Sequence, residues 1–230
     1  MTSLQIIMLI KIKFLLICIL IACLFIIPIN STEPEKLIAL TFDDGPHKKY
    51  TPEILDILSE YGVKATFFVI GKNCERFPEI FRRELDEGHE VGNHTYSHPD
   101  IDKLSYNELM QELLATDETL IEIRGYKPRL FRLPGGKKNP QIEKIIIRLN
   151  YISVSWNVDT RDWKALPSQE ISREILNKIK PGYIVLMHDY VVGKSGTPEA
   201  LRTVIPALLE QGYKFVTVSE LLDYKNLPDE

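Results

Sequence analysis

The sequence predicts an α/β fold built on a parallel sheet. About seven short apolar segments alternate with helical segments along the 230 residues, and polar clusters follow the ends of several apolar segments. This alternation is typical of either a barrel or an open doubly wound sheet, and both carry their chemistry at the carboxyl ends of the strands. No glycine-rich phosphate loop follows the first apolar segment, which argues against a nucleotide-binding sheet.

The predicted strands are short, apolar and rich in β-branched or aromatic residues. They cover residues 37–42, 65–70, 90–93, 129–133, 151–156, 183–187 and 215–218. Between them, periodic apolar positions predict helices. The helices cover residues 51–61, 77–87, 105–124, 140–149, 168–179 and 197–211, with a last short helix from 219. Gly62 and Gly88 end the first two helices, and Ser105 with Glu108 forms a capping box at the start of the third.

Residues 1–31 are predicted to be a signal peptide or membrane anchor, and residues 32–230 the folded domain. An unbroken apolar run from Phe14 to Ile27 follows Lys11 and Lys13, without a small-residue cleavage pattern after it. Because the lysines precede the run, we expect the domain outside the cytoplasm. Retention at the membrane, release after cleavage and lipid anchoring remain alternatives.

Charge and cysteine content restrict the partners and the covalent structure. The chain has a formal net charge of −4 and no basic stripe, so we expect no nucleic acid partner. Two of the three cysteines lie in the N-terminal apolar run, which leaves Cys74 alone in the folded domain. We therefore expect a packed thiol and no intrachain disulfide in the domain. We also expect a monomer.

The first polar cluster is the segment 41–46, which contains Asp43 and Asp44 and ends with Gly45-Pro46. Two adjacent carboxylates repel each other unless one is protonated or a cation lies between them. One carboxylate can then bind a metal ion while its neighbour acts beside it. Taken alone, the same residues also fit a solvated turn with two surface acids.

The second polar cluster contains His94 and His98, followed by Pro99. The four-residue spacing is common in zinc sites, but the proline and the lack of apolar periodicity predict a loop or a single turn. With Asp44 the pair supplies two imidazoles and one carboxylate, and a catalytic zinc site typically has three protein ligands. Taken alone, two surface histidines explain the pattern equally well.

Three further clusters follow predicted strands, and each also has an ordinary structural explanation. Arg132, followed by Gly135, can hold a carboxylate and bring a backbone N–H to a ligand, or simply end a strand. Trp163, next to Asp162, can pack against the face of a sugar ring, although a tryptophan packed in the core is the alternative. His188 ends an apolar strand and can act as a general acid, or pack as a capped core histidine.

Taken in order, the five clusters resemble the motifs of the polysaccharide deacetylases of carbohydrate esterase family 4, also called the NodB-homology domain. The motifs are Thr-Phe-Asp-Asp-Gly, His-Thr-x-x-His-Pro, Arg-x-Pro, Asp-x-x-Asp-Trp and Leu-x-His, and the resemblance covers about residues 36–223. It implies a deformed (β/α) barrel of about seven parallel strands. It also implies metal-dependent removal of acetyl groups from glycans, with one divalent ion, expected to be zinc, although cobalt or another ion is an alternative.

The resemblance assigns a role to each matching residue. The implied metal ligands are Asp44, His94 and His98. Among the implied catalytic residues, Asp43 is the base and Arg132 holds it. His188 is the general acid and Asp162 is its partner. The implied substrate-binding residues are Gly135, with a backbone N–H for the oxyanion, and Trp163 and Leu186, which would line the acetyl pocket.

The substrate implied by export and by the resemblance is N-acetylglucosamine of peptidoglycan in a bacterial cell envelope. Chitooligosaccharide, xylan and a lipid-linked sugar are alternatives, because Gly135-Gly136 stands where many members have an aromatic residue after Arg-x-Pro. A catalytically inactive glycan-binding module is a rival, disfavoured because Asp43 and His188 are both present. An aspartyl-phosphate phosphatase is also disfavoured, since it would leave the two histidines unexplained.

Overall fold

The computed structural model of this protein describes residues 35–136 and 140–225. Its strands are β1 (Lys36–Asp43), β2 (Thr66–Val69), β3 (Glu90–Asn93), β4 (Leu130–Phe131), β5 (Ile152–Ser153), β6 (Val158–Asp159), β7 (Ile184–His188) and β8 (Tyr213–Phe215). Its helices are α1 (Tyr50–Glu60), α2 (Gly71–Arg76), α3 (Pro78–Asp86), α4 (Tyr106–Arg124), α5 (Pro140–Leu149), α6 (Ser168–Lys178), α7 (Thr197–Glu210) and α8 (Val218–Lys225).

The predicted N-terminal segment, residues 1–31, lies outside the described residues, and its boundary at residue 32 stays a prediction. Within the part of the chain that the structure describes, no helix combines the length and the apolar character needed to cross a membrane.

The strands form one parallel sheet in the order β5-β4-β3-β2-β1-β7-β6, and β8 pairs with the start of β1. Arg132, directly after β4, donates a hydrogen bond of 2.7 Å to Thr41 of β1. In a flat sheet these strands would lie roughly 14 Å apart, because two others separate them. The sheet therefore curls into an open, deformed barrel, which confirms the predicted fold class.

The central strand β1 positions the first functional residues by simple alternation. Its even-numbered side chains pack against the surrounding helices in the largest buried cluster, and these are Ile38, Leu40 and Phe42. Leu37 and Ala39 face the inside of the barrel. Thr41 and Asp43 continue this inner face, so the Asp43 carboxylate lies inside the barrel at its carboxyl-terminal rim.

Several predicted boundaries are wrong, although the order of elements is confirmed. The segment 151–156 forms only the two-residue strand β5, and the equally short β6 was not expected, because two residues are too few to show alternation. Helix α2 was also not expected, since it begins at a glycine and has no apolar periodicity. The capping box of Ser105 and Glu108 is confirmed, and Cys74 is buried and unpaired.

Candidate active site

The carboxyl ends of five strands bring the predicted functional residues to one rim of the barrel. Strands β1 and β7 end at Asp43 and His188, which are direct partners in the ladder. His94 and Arg132 follow β3 and β4 without a gap, and Asp162 lies three residues beyond β6. The five clusters that are dispersed along the sequence therefore form one site.

A sharp turn after β1 separates the two adjacent carboxylates. Asp44 has a φ of 78°, and its backbone is held by hydrogen bonds to the carbonyl of Phe68 (3.2 Å) and from the side chain of Asn73 (2.8 Å). A Cβ atom on Gly45 would lie 2.0 Å from the Asp189 carboxylate, so only glycine fits there. As a result, Asp43 and Asp44 present their carboxylates to different partners.

Asp44, His94 and His98 form a compact cluster whose potential ligand atoms all lie within 4.8 Å of one another. The Nε2 atoms of His94 and His98 lie 3.5 Å and 3.4 Å from the Asp44 Oδ1 atom. His94 Nδ1 lies 2.8 Å from the carbonyl oxygen of Arg132, which can only accept a hydrogen bond. Nδ1 therefore carries the proton, and the Nε2 lone pair faces the cluster.

The donor set of this cluster fits a divalent cation. Asp44 Oδ1 is buried and has no hydrogen-bond partner in the described part of the chain. A buried carboxylate oxygen without a partner is costly, and a cation between the three side chains would remove that cost. Two imidazole nitrogens and one carboxylate oxygen match the ligand preference of zinc, and they leave further coordination positions for substrate and water.

The loop that carries both histidines is held from two sides. Asn93 accepts a hydrogen bond from the backbone N–H of Thr95 (2.8 Å) and donates to Asp117 of α4 (3.1 Å). Glu112, also on α4, accepts hydrogen bonds from the backbone N–H and the hydroxyl of Ser97, both at 2.8 Å. These contacts fix the two imidazoles before any ligand binds.

Asp43 is paired with a buried arginine. Arg132 is fully buried and donates through Nη1 to the Oδ1 atom of Asp43 at 2.8 Å and to the Thr41 hydroxyl at 2.7 Å. Its guanidinium also lies over the Phe68 ring, 4.0 Å from the centroid. The other carboxylate oxygen, Oδ2, lies 3.8 Å from His94 Nε2 and so faces the cluster. Asp43 is thus oriented through one oxygen, and the other faces the cluster of Asp44, His94 and His98.

His188 is paired with the buried carboxylate of Asp162. The Asp162 carboxylate, which is fully buried, accepts hydrogen bonds from His188 Nδ1 (2.7 Å), from its backbone N–H (2.8 Å) and from the Thr197 hydroxyl (2.6 Å). Burial opposes protonation of His188, but the hydrogen bond and charge of Asp162 outweigh it and raise the pKa to about 9. The imidazole is therefore protonated at neutral pH.

The three predicted substrate-binding residues also lie at this rim. Gly135 has a φ of 67° and borders, with His98, a shallow cavity of about 320 Å³. Leu186 is buried on the same face of β7 as His188, next to Thr41. Trp163 lies in the turn after β6 with 53% of its surface exposed. Their predicted roles in binding the acetyl group and the oxyanion stay predictions.

The supporting residues were missed by the sequence analysis. Asp189 is buried, accepts a hydrogen bond of 2.6 Å from the Thr51 hydroxyl, and packs against Gly45, next to Asp44. Burial raises its pKa to about 7. Thr197 and Glu112 hold Asp162 and the histidine loop. Of these supporting residues, only Asp189 could have been noticed in the sequence, because it is an acid directly after His188. Residues such as Thr51 and Thr197 could not, because threonines in helices are too common to indicate a function.

Comparison with known proteins decides the family. The family model described as polysaccharide deacetylase matches residues 30–154. A peptidoglycan-N-acetylglucosamine deacetylase of Bacillus cereus is 43% identical over 194 residues, which is 84% of this chain and 91% of that relative. This chain belongs to the polysaccharide deacetylase family.

Further relatives of this polysaccharide deacetylase agree in sequence and in fold. A second peptidoglycan-N-acetylglucosamine deacetylase of Bacillus cereus is 40% identical, covering 84% of this chain and 70% of the relative. The solved structure of peptidoglycan deacetylase PdaC from Bacillus subtilis has a TM-score of 0.77 and 38% identity, covering 84% of this chain and 93% of that chain. The fold and the deacetylase class of hydrolase are therefore shown. The substrate of such an enzyme is a glycan.

Proposed function

We propose that this polysaccharide deacetylase removes the N-acetyl group from N-acetylglucosamine residues of peptidoglycan. The relatives from Bacillus cereus carry that activity in their names, and they match most of this chain. The observation that carries the chemistry is the convergence of the Asp43–Arg132 pair, the three-residue cluster and the Asp162–His188 pair at one rim. Together they offer a base, a metal site and a separate acid.

The cluster of Asp44, His94 and His98 would hold one divalent ion, for which zinc is expected. When bound, such an ion supplies Lewis acidity that polarises the acetyl carbonyl and makes water a better nucleophile at neutral pH. Asp43 Oδ2 faces the same space, and Arg132 keeps that carboxylate in place. Asp43 would accept the proton of the attacking water.

Leaving-group protonation would come from His188. An amide nitrogen is a poor leaving group unless it is protonated, so a base and a separate acid are both required. The His188 imidazolium, oriented by Asp162, would donate from Nε2 to the departing amine. Gly135 would donate its backbone N–H to the oxyanion of the tetrahedral intermediate, with Trp163 and Leu186 around the acetyl methyl group.

Acetate release tests this function directly. The full chain, purified in mild detergent, is supplied with peptidoglycan, with N-acetylglucosamine oligomers and with acetylated xylan. We expect the highest kcat/KM on peptidoglycan, with free amino groups formed on glucosamine. A preference for the oligomers would favour a chitooligosaccharide deacetylase, a relative of this kind being 36% identical. Tight glycan binding without acetate release would favour an inactive binding module.

Metal binding and location are tested separately. We expect about one divalent ion per chain by elemental analysis, with reversible loss of activity on chelation. His94→Ala binding metal as tightly as the unaltered protein would refute this ligand set. We also expect the domain to be digested by protease added to intact cells, because residues 1–31 are predicted to be a signal peptide or membrane anchor, which would export the domain to the cell envelope. Protection until lysis would contradict an extracytoplasmic location.

A further inference from the structure

An aromatic cluster borders the active site on the side of β1 and β7. It consists of His47, three residues after Asp44, and Tyr190, two residues after His188, together with Tyr50 at the start of α1. Because Asp43 and His188 are ladder partners, the loops after these two strands meet at the rim of the barrel. None of the roles assigned above uses this cluster.

The His47 ring contacts both tyrosine rings, although the cluster is partly exposed. The His47 ring stacks on Tyr50 at 5.1 Å between centroids, and Tyr190 meets it edge-on at 5.2 Å. The Tyr50 hydroxyl donates to the carbonyl of Gly193 and accepts from the N–H of Ser195, both at 3.1 Å, so it ties the loop after β7 to α1. Tyr190 nevertheless leaves 42% of its surface exposed.

His47 also has a defined hydrogen-bonding direction. Its Nδ1 atom accepts hydrogen bonds from the backbone N–H groups of Tyr50 (3.2 Å) and Lys49 (3.3 Å). Partial burial and the nearby charge of Lys48 lower the pKa of His47, so the ring is neutral at pH 7. The proton is therefore on Nε2, and no acceptor for it is found among the residues that the structure describes.

We propose that His47 and Tyr190 form a carbohydrate subsite that binds a pyranose ring of the same glycan chain, adjacent to the sugar that is deacetylated. This rests on the proposed function. An aromatic surface packs against the C–H face of a pyranose, and the Nε2–H of His47 and the Tyr190 hydroxyl can bond its hydroxyl groups. Since the His47 ring is already held by two hydrogen bonds and by stacking on Tyr50, ordering it on binding costs little conformational entropy.

The simpler explanation is that His47 caps α1 and Tyr190 only covers it. Three variants separate the two. Tyr190→Ala removes the aromatic surface, Tyr190→Phe keeps it, and His47→Asn keeps a side-chain acceptor for the helix while removing the ring. Tyr224→Ala is a matched control, because Tyr224 is similarly exposed and its hydroxyl bonds the N–H of Glu35 at the opposite end of the sheet.

The experiment uses the full chain with two substrates and one binding assay. The substrates are a pentamer of N-acetylglucosamine and a small aryl acetate, which reports the chemical step alone. Calorimetry measures the affinity for the pentamer. We expect Tyr190→Ala and His47→Asn to lower kcat/KM and affinity for the pentamer about tenfold, mainly through KM, without affecting the aryl acetate. Tyr190→Phe keeps the aromatic surface and loses only the hydroxyl, so its loss on the pentamer should be much smaller than that of Tyr190→Ala. Tyr224→Ala should resemble the unaltered protein.

The outcomes distinguish this subsite from the proposed function. Equal losses on both substrates, or no loss on the pentamer, would overturn the subsite. If the unaltered chain binds the pentamer in a Tyr190-dependent way but releases no acetate from any glycan, the subsite stands and the proposed reaction fails. If acetate is released from the pentamer with the same KM in Tyr190→Ala, the reaction stands and the subsite fails.

Discussion

Two adjacent carboxylates in this protein have different surroundings and therefore suit different tasks. Asp43 is bound to the buried guanidinium of Arg132, whereas Asp44 Oδ1 faces two imidazoles and lacks a hydrogen-bond donor. The positive φ of Asp44 and the space left by Gly45 produce this separation within two residues. When two neighbouring acids have different surroundings, one can act in proton transfer while the other serves as a ligand.

Asp43→Asn tests this division. The amide keeps the size of the side chain but cannot accept a proton, so we expect kcat for acetate release to fall at least ~100-fold, the usual scale for a general base. The metal content should be largely retained, because Asp43 lies outside the cluster of Asp44, His94 and His98. Loss of metal together with activity would show that Asp43 is a ligand.

The pH dependence should report the His188–Asp162 pair. The pKa of His188, the proposed general acid, is raised to about 9, so this imidazole is protonated at neutral pH and loses its proton as the pH rises through that value. Activity should therefore fall on the alkaline side. In Asp162→Asn the imidazolium loses its counter-charge, and the alkaline limb should move to lower pH. An unchanged limb in a pH–rate profile would exclude His188 as the group that titrates.

Asp43, His94, Arg132 and His188 could be selected from the sequence because each lies at the end of a predicted strand or within it. Asp162 follows β6, which was not expected, and was identified by its motif alone. The residues that support them could not be selected, since they come from distant segments. Thr197 is 35 residues from Asp162, and Thr51 is 138 residues from Asp189. These long-range hydrogen bonds depend on the tertiary structure, so no local pattern in the sequence predicts them.

At the scale of elements, α4 has a function beyond covering the sheet. Its residue Glu112 binds the loop that carries the two candidate histidine ligands, and Arg132, directly after β4, provides the carbonyl that orients His94. The histidine loop itself has positive φ at Thr95 and His98, and Pro99 with the lack of apolar periodicity predicted a loop or a single turn here. Its conformation therefore depends on tertiary contacts.

Glu112→Ala tests the support from α4. Without the carboxylate, the N–H groups of Tyr96 and Ser97 lose their acceptor, and His98 is less well held. Loss of a supporting contact typically lowers metal affinity 10–100-fold, and we expect an effect of this size by competition with a chelating dye. Glu118→Ala removes an exposed acid from the same helix and should leave the affinity unchanged. Equal affinities in both variants would contradict the role of Glu112.

At the scale of the whole molecule, the alternation of strands and helices was sufficient to predict a parallel sheet, but not how far it closes. Closure depends on whether β5 and β6, at the two ends of the strand order, pair with each other. In the described part of the chain no ladder joins them, and both are only two residues long. The barrel therefore stays open between β5 and β6. Strands of two residues are too short to leave a recognisable pattern in the sequence, so this opening could not be predicted.

The candidate metal cluster links the ends of β1 and β3, so metal binding should stabilise the whole domain. A ligand that binds only the folded state adds about 2.7 kcal/mol at a hundredfold excess over its Kd. We expect zinc to raise the thermal midpoint of the full chain and a chelator to lower it. In His98→Ala the fold should persist, because this side chain is partly exposed, but the zinc-dependent shift should be much reduced. A shift of equal size in His98→Ala would place the ion elsewhere.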